Sequence, residues 1–367
     1  MVTWVEPPTG GLSPPAGGAR LAVTVDDLRL ELGRLPKVDL HRHLEGSLRL
    51  GTLLEIAAGE DLDLPRTPDT LRRLVTVMPD DPRTLESFLS KFEPLRSVYR
   101  TPEIIQRLVD EVIEDAAADC VRHLELRFTP AALAAARAFD LGEVMDWVIE
   151  ASGRAAGRHG LSLALLASVN RHEPVEQAAR VAQLAAERVG RGVVALDLAG
   201  NERLFPADRF QGVFAEARQA GLHVTVHAGE WTGPRSIRQA LEDFAADRIG
   251  HGVRVIEDPA LAALARERRT IFEICLTSNL QSGAVRDAAA HPLPRLIQAG
   301  LQVTLNSDDP GISGISLTDE YALAIEAMGL SQLSLRAMIL AAAQASFLPP
   351  SERMALEAEL KALLLGA

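Results

Sequence analysis

The chain has 367 residues, 47% of them hydrophobic, which is enough for one large core. A formal net charge of -12 argues against a general nucleic-acid binder, which needs a basic footprint. Two cysteines outside any CxxC pair, no basic-then-apolar leader and no apolar run of transmembrane length point to a cytoplasmic protein with neither disulfides nor membrane spans.

Residues 1–20 are rich in Pro and Gly and read as a flexible leader, with 21–367 as a single domain. Residues 24–34 suit a short helix. From Pro36 a rhythm begins. Short apolar segments rich in branched residues predict strands over 37–41, 121–128, 161–169, 192–198, 221–227, 248–251, 270–275 and 301–306. Between them, helical spacing runs over 102–118, 141–158, 175–187, 208–220, 235–244 and 261–267. Eight strands alternating with helices predict a (β/α)8 TIM barrel, with a doubly wound open sheet as competitor. Residues 61–100 are long for one βα connection and read as a helical lid insertion over the barrel mouth. The tail over 330–365 reads as helices covering the outside or bottom.

Chemistry-bearing residues recur at strand ends. His41 and His43 lie at the end of the first apolar stretch, and side chains two apart on an extended chain point the same way. That suits two ligands of one metal. His227 ends the fifth strand and is the third imidazole; His223, at that strand's start, sits at the stability end of a barrel. Glu230 follows His227 across a glycine, placed for proton transfer rather than ligation. His251 ends the sixth strand between two glycines and is assigned to catalysis. Asp308 and Asp309 follow the eighth strand. Two adjacent carboxylates repel unless a cation is near, and one can ligate while the other meets substrate. Three imidazoles and a carboxylate suit zinc, with iron, manganese or cobalt as alternatives. Strands 1 and 8 are neighbours only in a closed sheet, so ligands shared between them favour the barrel. The residues alone lead to a metal-dependent hydrolase acting at an electrophilic carbon.

The runs His41-Arg-His-Leu-Glu-Gly46, Leu124-Glu-Leu-Arg-Phe128, Asp197-Leu-Ala-Gly200, His227-Ala-Gly-Glu230, Arg248-Ile-Gly-His-Gly252, Thr277-Ser-Asn279 and Asn306-Ser-Asp-Asp-Pro310 occur in order over about 35–345. In this combination the chain resembles the adenosine and adenine deaminase family of amidohydrolase-type barrels. The resemblance implies one zinc ion held by His41, His43, His227 and Asp308. It implies that Glu230 protonates the purine N1 and that His251 orients and helps deprotonate the attacking water. Asp309 is implied as the acceptor facing N7 and the Gly200 backbone as the contact to N3, with His43 and Glu45 also at the substrate. The implied reaction removes the 6-amino group of an adenine nucleoside, giving inosine or 2'-deoxyinosine and ammonia. Adenosine-specific members carry aspartate, contacting the ribose 5'-hydroxyl, where this chain has Glu45. That keeps adenine and 6-amino-6-deoxyfutalosine open as alternative substrates. Strands 3 and 4 carry no lysine, which favours a one-metal site.

Overall fold

The computed structural model describes residues 25–365; the leader expected over 1–20 lies outside them. Eight strands form one parallel sheet in chain order: β1 Lys37–His43, β2 Val121–Phe128, β3 Ser162–Asn170, β4 Val193–Ala199, β5 His223–Ala228, β6 Arg248–His251, β7 Ile271–Ile274 and β8 Gln302–Leu305. The sheet closes where β1 meets the end of β8. Arg42 bridges Asp308, the Asp308 N–H donates to the His41 carbonyl, and the His43 N–H donates to the Asp308 carbonyl, each at 2.8 Å. This closure carries β1 two residues past its expected end, to His43. It also delivers His41, His43 and Asp308 to the same rim.

Helices cover the outside, as parallel strands buried on both faces require. The two longest follow capping rules: Thr101 accepts from the Ile104 N–H ahead of Pro102–Ala118, and Asp140 accepts from Gly142 and Glu143 ahead of Leu141–His159. The helix expected over 208–220 is split into a 3-10 turn, Asp208–Phe210, and a helix, Gln211–Gln219. Within the lid expected over 61–100, the last part is broken into Leu85–Ser90, Phe92–Leu95 and a 3-10 turn at Arg96–Val98. Pro94, which lacks an N–H, sits within this irregular stretch. No helix among the described residues is long and apolar enough to cross a membrane.

The tail covers the side and the bottom. Gln332–Ala345 packs against β1 and β8, and Pro350–Leu365 packs on that helix. Phe347, between them, plugs the barrel's lower end. Its ring stacks on His223 at 4.2 Å and lies 3.6 Å from the Arg248 guanidinium carbon. His223 is therefore a residue of the bottom, far from the functional rim.

Candidate active site

Four side chains converge at the C-terminal rim. His43 Nε2 lies 3.3 Å from His41 Nε2, 3.2 Å from His227 Nε2 and 3.5 Å from Asp308 Oδ1. His41 Nε2 is 3.3 Å from the same Asp308 oxygen. Donors about 2.1 Å from a tetrahedral metal stand roughly 3.4 Å apart, so the spacing fits a single small cation. Hydrogen bonding supports the same fit. His41 Nδ1 lies 2.8 Å from Glu273 Oε2, and His227 Nδ1 lies 3.3 Å from Asp197 Oδ1. Burial alone would raise these two carboxyls, but Arg127 and Arg248 hold Glu273, and His227 and Arg127 hold Asp197, below the usual carboxylate range. An ionised carboxylate can only accept, so His41 donates from Nδ1 to Glu273 and aims a bare Nε2 inward, while Asp197 faces His227 Nδ1 as a charge at contact distance rather than a hydrogen-bond acceptor. Lone pairs facing one another and a carboxylate oxygen call for a cation between them. His251 is close by, and one donor atom each from His41, His227, His251 and Asp308 also lie within 4.8 Å of one another. Its Nε2, however, stands 3.9 Å from Asp308 Oδ2 and 3.6 Å from Glu230 Oε2. Three histidines and one aspartate, all buried, thus form a site suited to one divalent metal ion.

Two of these groups sit on strained backbone. His251 (φ 59°) and Asp308 (φ 58°) occupy the left-handed region, which costs a non-glycine residue roughly 1–3 kcal/mol and is concentrated at functional sites. The conformation re-aims each side chain just as its strand ends. Two glycines provide the room. A Cβ at Gly46 would overlap the Asp309 carboxyl, and one at Gly250 would press on His41 and His227.

Beside the ligands opens a cleft of about 170 Å³. Its walls include Glu45, Glu230, His251 and Asp309 at the rim, Gly200 and Asn201 after β4, and Phe88, Phe92 and Tyr99 from the lid. The structure therefore brings all the expected site residues around one cleft, apart from His41, which lies beneath it. Phe88 and Phe92, from the lid, face this cavity. Arg42 turns away: its Nε donates to Asp39 at 3.0 Å and to Ser307 at 2.9 Å. Among the described residues, neither Glu230 oxygen, nor Asp309 Oδ1, has a hydrogen-bond partner. Burial, and then the neighbouring carboxylates, push the Glu230 carboxyl well above its ordinary range, with Asn279 pulling the other way. Asp309 is raised well above its own range by burial and by Asp308 and Glu45. A cation on Asp308 would cancel that neighbour's share and leave burial, the leading cause, in place.

Several functional supports escaped sequence reasoning. Glu202 is a buried carboxylate that accepts from the N–H groups of Gly229 (2.7 Å), Glu230 (3.2 Å), Trp231 (3.0 Å) and Thr232 (3.1 Å), and from the Ser236 hydroxyl. It clamps the loop that carries Glu230. Glu320 accepts from the Leu276 (2.6 Å) and Thr277 (2.9 Å) N–H groups and so holds the helix Leu276–Gln281, which carries Ser278 and Asn279. Asp197 and Glu273 had a signal that could have found them: a carboxylate within a buried apolar strand needs a fixed partner.

The closed eight-stranded barrel, with one cation-sized cluster of histidines and a carboxylate at its C-terminal rim, defines a metal-dependent hydrolase of the amidohydrolase type. The family model described as adenosine deaminase matches residues 36–363, and the chain belongs to that family. Among curated relatives, the adenosine deaminase of Shigella flexneri is 38% identical over 330 residues, covering 89% of this chain and 98% of the relative. That of Escherichia coli O157:H7 is also 38% identical, with the same coverage. Among solved structures, adenine deaminase from Arthrobacter aurescens superposes with a TM-score of 0.84 at 26% identity, covering 91% of this chain and 100% of the other. Arabidopsis ADAL in complex with GMP gives 0.81 at 29% identity, covering 91% and 98%.

Proposed function

We propose that this enzyme is a zinc-dependent aminohydrolase that converts adenosine and 2'-deoxyadenosine to inosine and 2'-deoxyinosine with release of ammonia. The observation that carries the reading is the buried Glu230 carboxyl, without a hydrogen-bond partner among the described residues and pushed well above its ordinary range by burial, beside the cation-sized donor cluster. A single domain over 21–367, with 61–100 as its lid, provides the site.

We assign the ligands as His41, His43, His227 and Asp308, because His43 Nε2 lies within 3.5 Å of a donor atom of each of the other three. Three nitrogens and one oxygen at tetrahedral spacing are a donor set typical of zinc. When bound, that ion makes a water molecule nucleophilic near neutral pH. The protein's own residues do the rest. Glu230, protonated in the resting state, donates to the purine N1 and makes C6 more electrophilic. Asp309 contributes differently from the acceptor expected from resemblance: N7 is itself an acceptor, so Asp309, whose carboxyl burial pushes above its ordinary range, meets it as a donor in its protonated form. Gly200, with φ 93°, leaves its backbone open to approach N3. Lid residues Phe88 and Phe92 shield the base from water.

The nucleoside reading is favoured over free adenine by the polar side chains that line the cleft beyond those assigned to the base. The cleft walls also include Arg96, His172 and Asn201, polar groups that can meet a ribose. Glu45 itself is committed: its Oε1 accepts from the Thr129 N–H at 2.6 Å, which fixes its carboxyl at the ribose end. The test is a parallel rate comparison on adenosine, 2'-deoxyadenosine, adenine and 6-amino-6-deoxyfutalosine, followed by absorbance and ammonia release. Fastest turnover of either nucleoside is expected; adenine or aminodeoxyfutalosine turning over fastest would overturn the substrate assignment.

A further inference from the structure

We propose that His291, acting through Asn279, fixes His251 in the tautomer that carries its proton on Nε2, so that His251 serves the reaction as a hydrogen-bond donor. The proposal rests on the deaminase reading for its catalytic meaning, but the hydrogen-bond relay stands on geometry alone. The relay begins at a backbone group. The Leu293 N–H donates to His291 Nδ1 at 3.1 Å, and a backbone N–H can only donate, so that nitrogen is bare. His291 is 3% exposed, and burial pushes its pKa down to about 4, which keeps the ring neutral near pH 7. A neutral imidazole with a bare Nδ1 carries its proton on Nε2. That nitrogen lies 3.4 Å from Asn279 Oδ1, which accepts. The amide orientation so selected turns Asn279 Nδ2 toward His251 Nδ1, 3.1 Å away. An amide nitrogen only donates, so His251 Nδ1 is bare and its proton resides on Nε2. Reversing the amide would set its N–H groups against the His291 Nε2–H, donor against donor. The network therefore has one self-consistent state.

The consequence lies in the cleft. His251 Nε2 faces the gap between Glu230 and Asp308, where the attacking oxygen must meet C6. With its proton on Nε2, neutral His251 has no lone pair there to take a proton from water. It can donate a hydrogen bond that orients the nucleophile and stabilises negative charge as it develops. This differs from the base expected from resemblance. His291 does not line the cleft and is a positioning residue; Asn279 connects it to the reacting groups.

The test reads the tautomer directly. In zinc-loaded protein carrying ring-15N histidine, nitrogen-detected NMR near neutral pH should show a one-bond N–H coupling at Nε2 of both His251 and His291. A proton on His251 Nδ1 would overturn the proposal. His291→Phe removes the group that orients Asn279; kcat should fall about tenfold, as for loss of one buried hydrogen bond, with KM within about twofold and zinc content unchanged. His291→Gln, whose amide N–H can still donate to Asn279, should restore kcat to within about threefold. Unchanged kcat and an unchanged tautomer in His291→Phe would sink the idea. If that variant fails to fold, the wild-type spectrum and the His291→Gln kinetics decide it. A wild-type enzyme that deaminated no adenine compound would defeat the reading of function and leave the tautomer measurement standing.

Discussion

Each proposed catalytic group depends on a neighbour that decides its protonation or its aim, and single substitutions separate the two. Glu230→Gln keeps the shape but removes the carboxyl proton. It should retain the metal while kcat falls by about 10²–10⁴, the usual size of a general-acid contribution, checked by metal analysis beside turnover. Asp308→Ala should do the reverse, losing metal on dialysis because one of four ligands is gone. Gly46→Ala tests a purely steric requirement. The new methyl would displace the Asp309 carboxyl, so KM for adenosine should rise while the metal stays bound. That glycine was visible in sequence only as the end of a motif; the reason for it is a side chain 263 positions later, which no local pattern carries.

At the scale of elements, the strand periodicity was legible because buried parallel strands read as apolar runs, and all eight appear within a residue or two of expectation. What escaped was the set of carboxylates that fasten loops to the barrel. Glu202 and Glu320 lie in segments with no periodic signature, and their partners are backbone N–H groups, which every residue possesses. Their roles become visible only when the chain is folded. Glu202 satisfies four successive N–H groups around Glu230, and burial alone would raise its pKa, yet Ser236 and the other donors hold it low. Glu202→Leu should therefore orphan those donors and loosen the loop. We expect a kcat loss of tenfold or more with a fold stability loss of about 1–3 kcal/mol, read by chemical denaturation beside the kinetics. Glu202→Gln, which retains one acceptor oxygen, should lose less on both counts.

Across the whole molecule, a ladder of buried charge runs up the barrel interior from the tail to the site. The Phe347 N–H donates to Glu125, which pairs with Arg248; Arg248 Nε reaches Glu273 at 2.6 Å, and Glu273 holds His41. Burial would raise Glu125, but Arg248 and His123 bring its pKa down to about 2. A carboxylate depressed in the folded state contributes stability above its unfolded pKa, and this is lost as pH falls toward 2. His291 acts in the same direction over a higher window. Its folded pKa of about 4 lies below the ordinary 6.5, so the unfolded chain takes up a proton first as pH falls. Its cost should start near pH 6.5 and saturate near pH 4, reaching about 3 kcal/mol over that span. Metal ligands also titrate in acid, so the wild-type curve alone mixes causes. The difference between wild type and His291→Gln isolates one: glutamine does not titrate, and it keeps the donor to Asn279. Denaturant midpoints measured from pH 7 down to pH 4 should show the variant losing less stability than the wild type by roughly that amount. Parallel curves would mean that His291 is protonated as readily in the folded protein as in the unfolded chain. In that case the neutral ring on which the His251 tautomer depends would not exist at the acid end of the range.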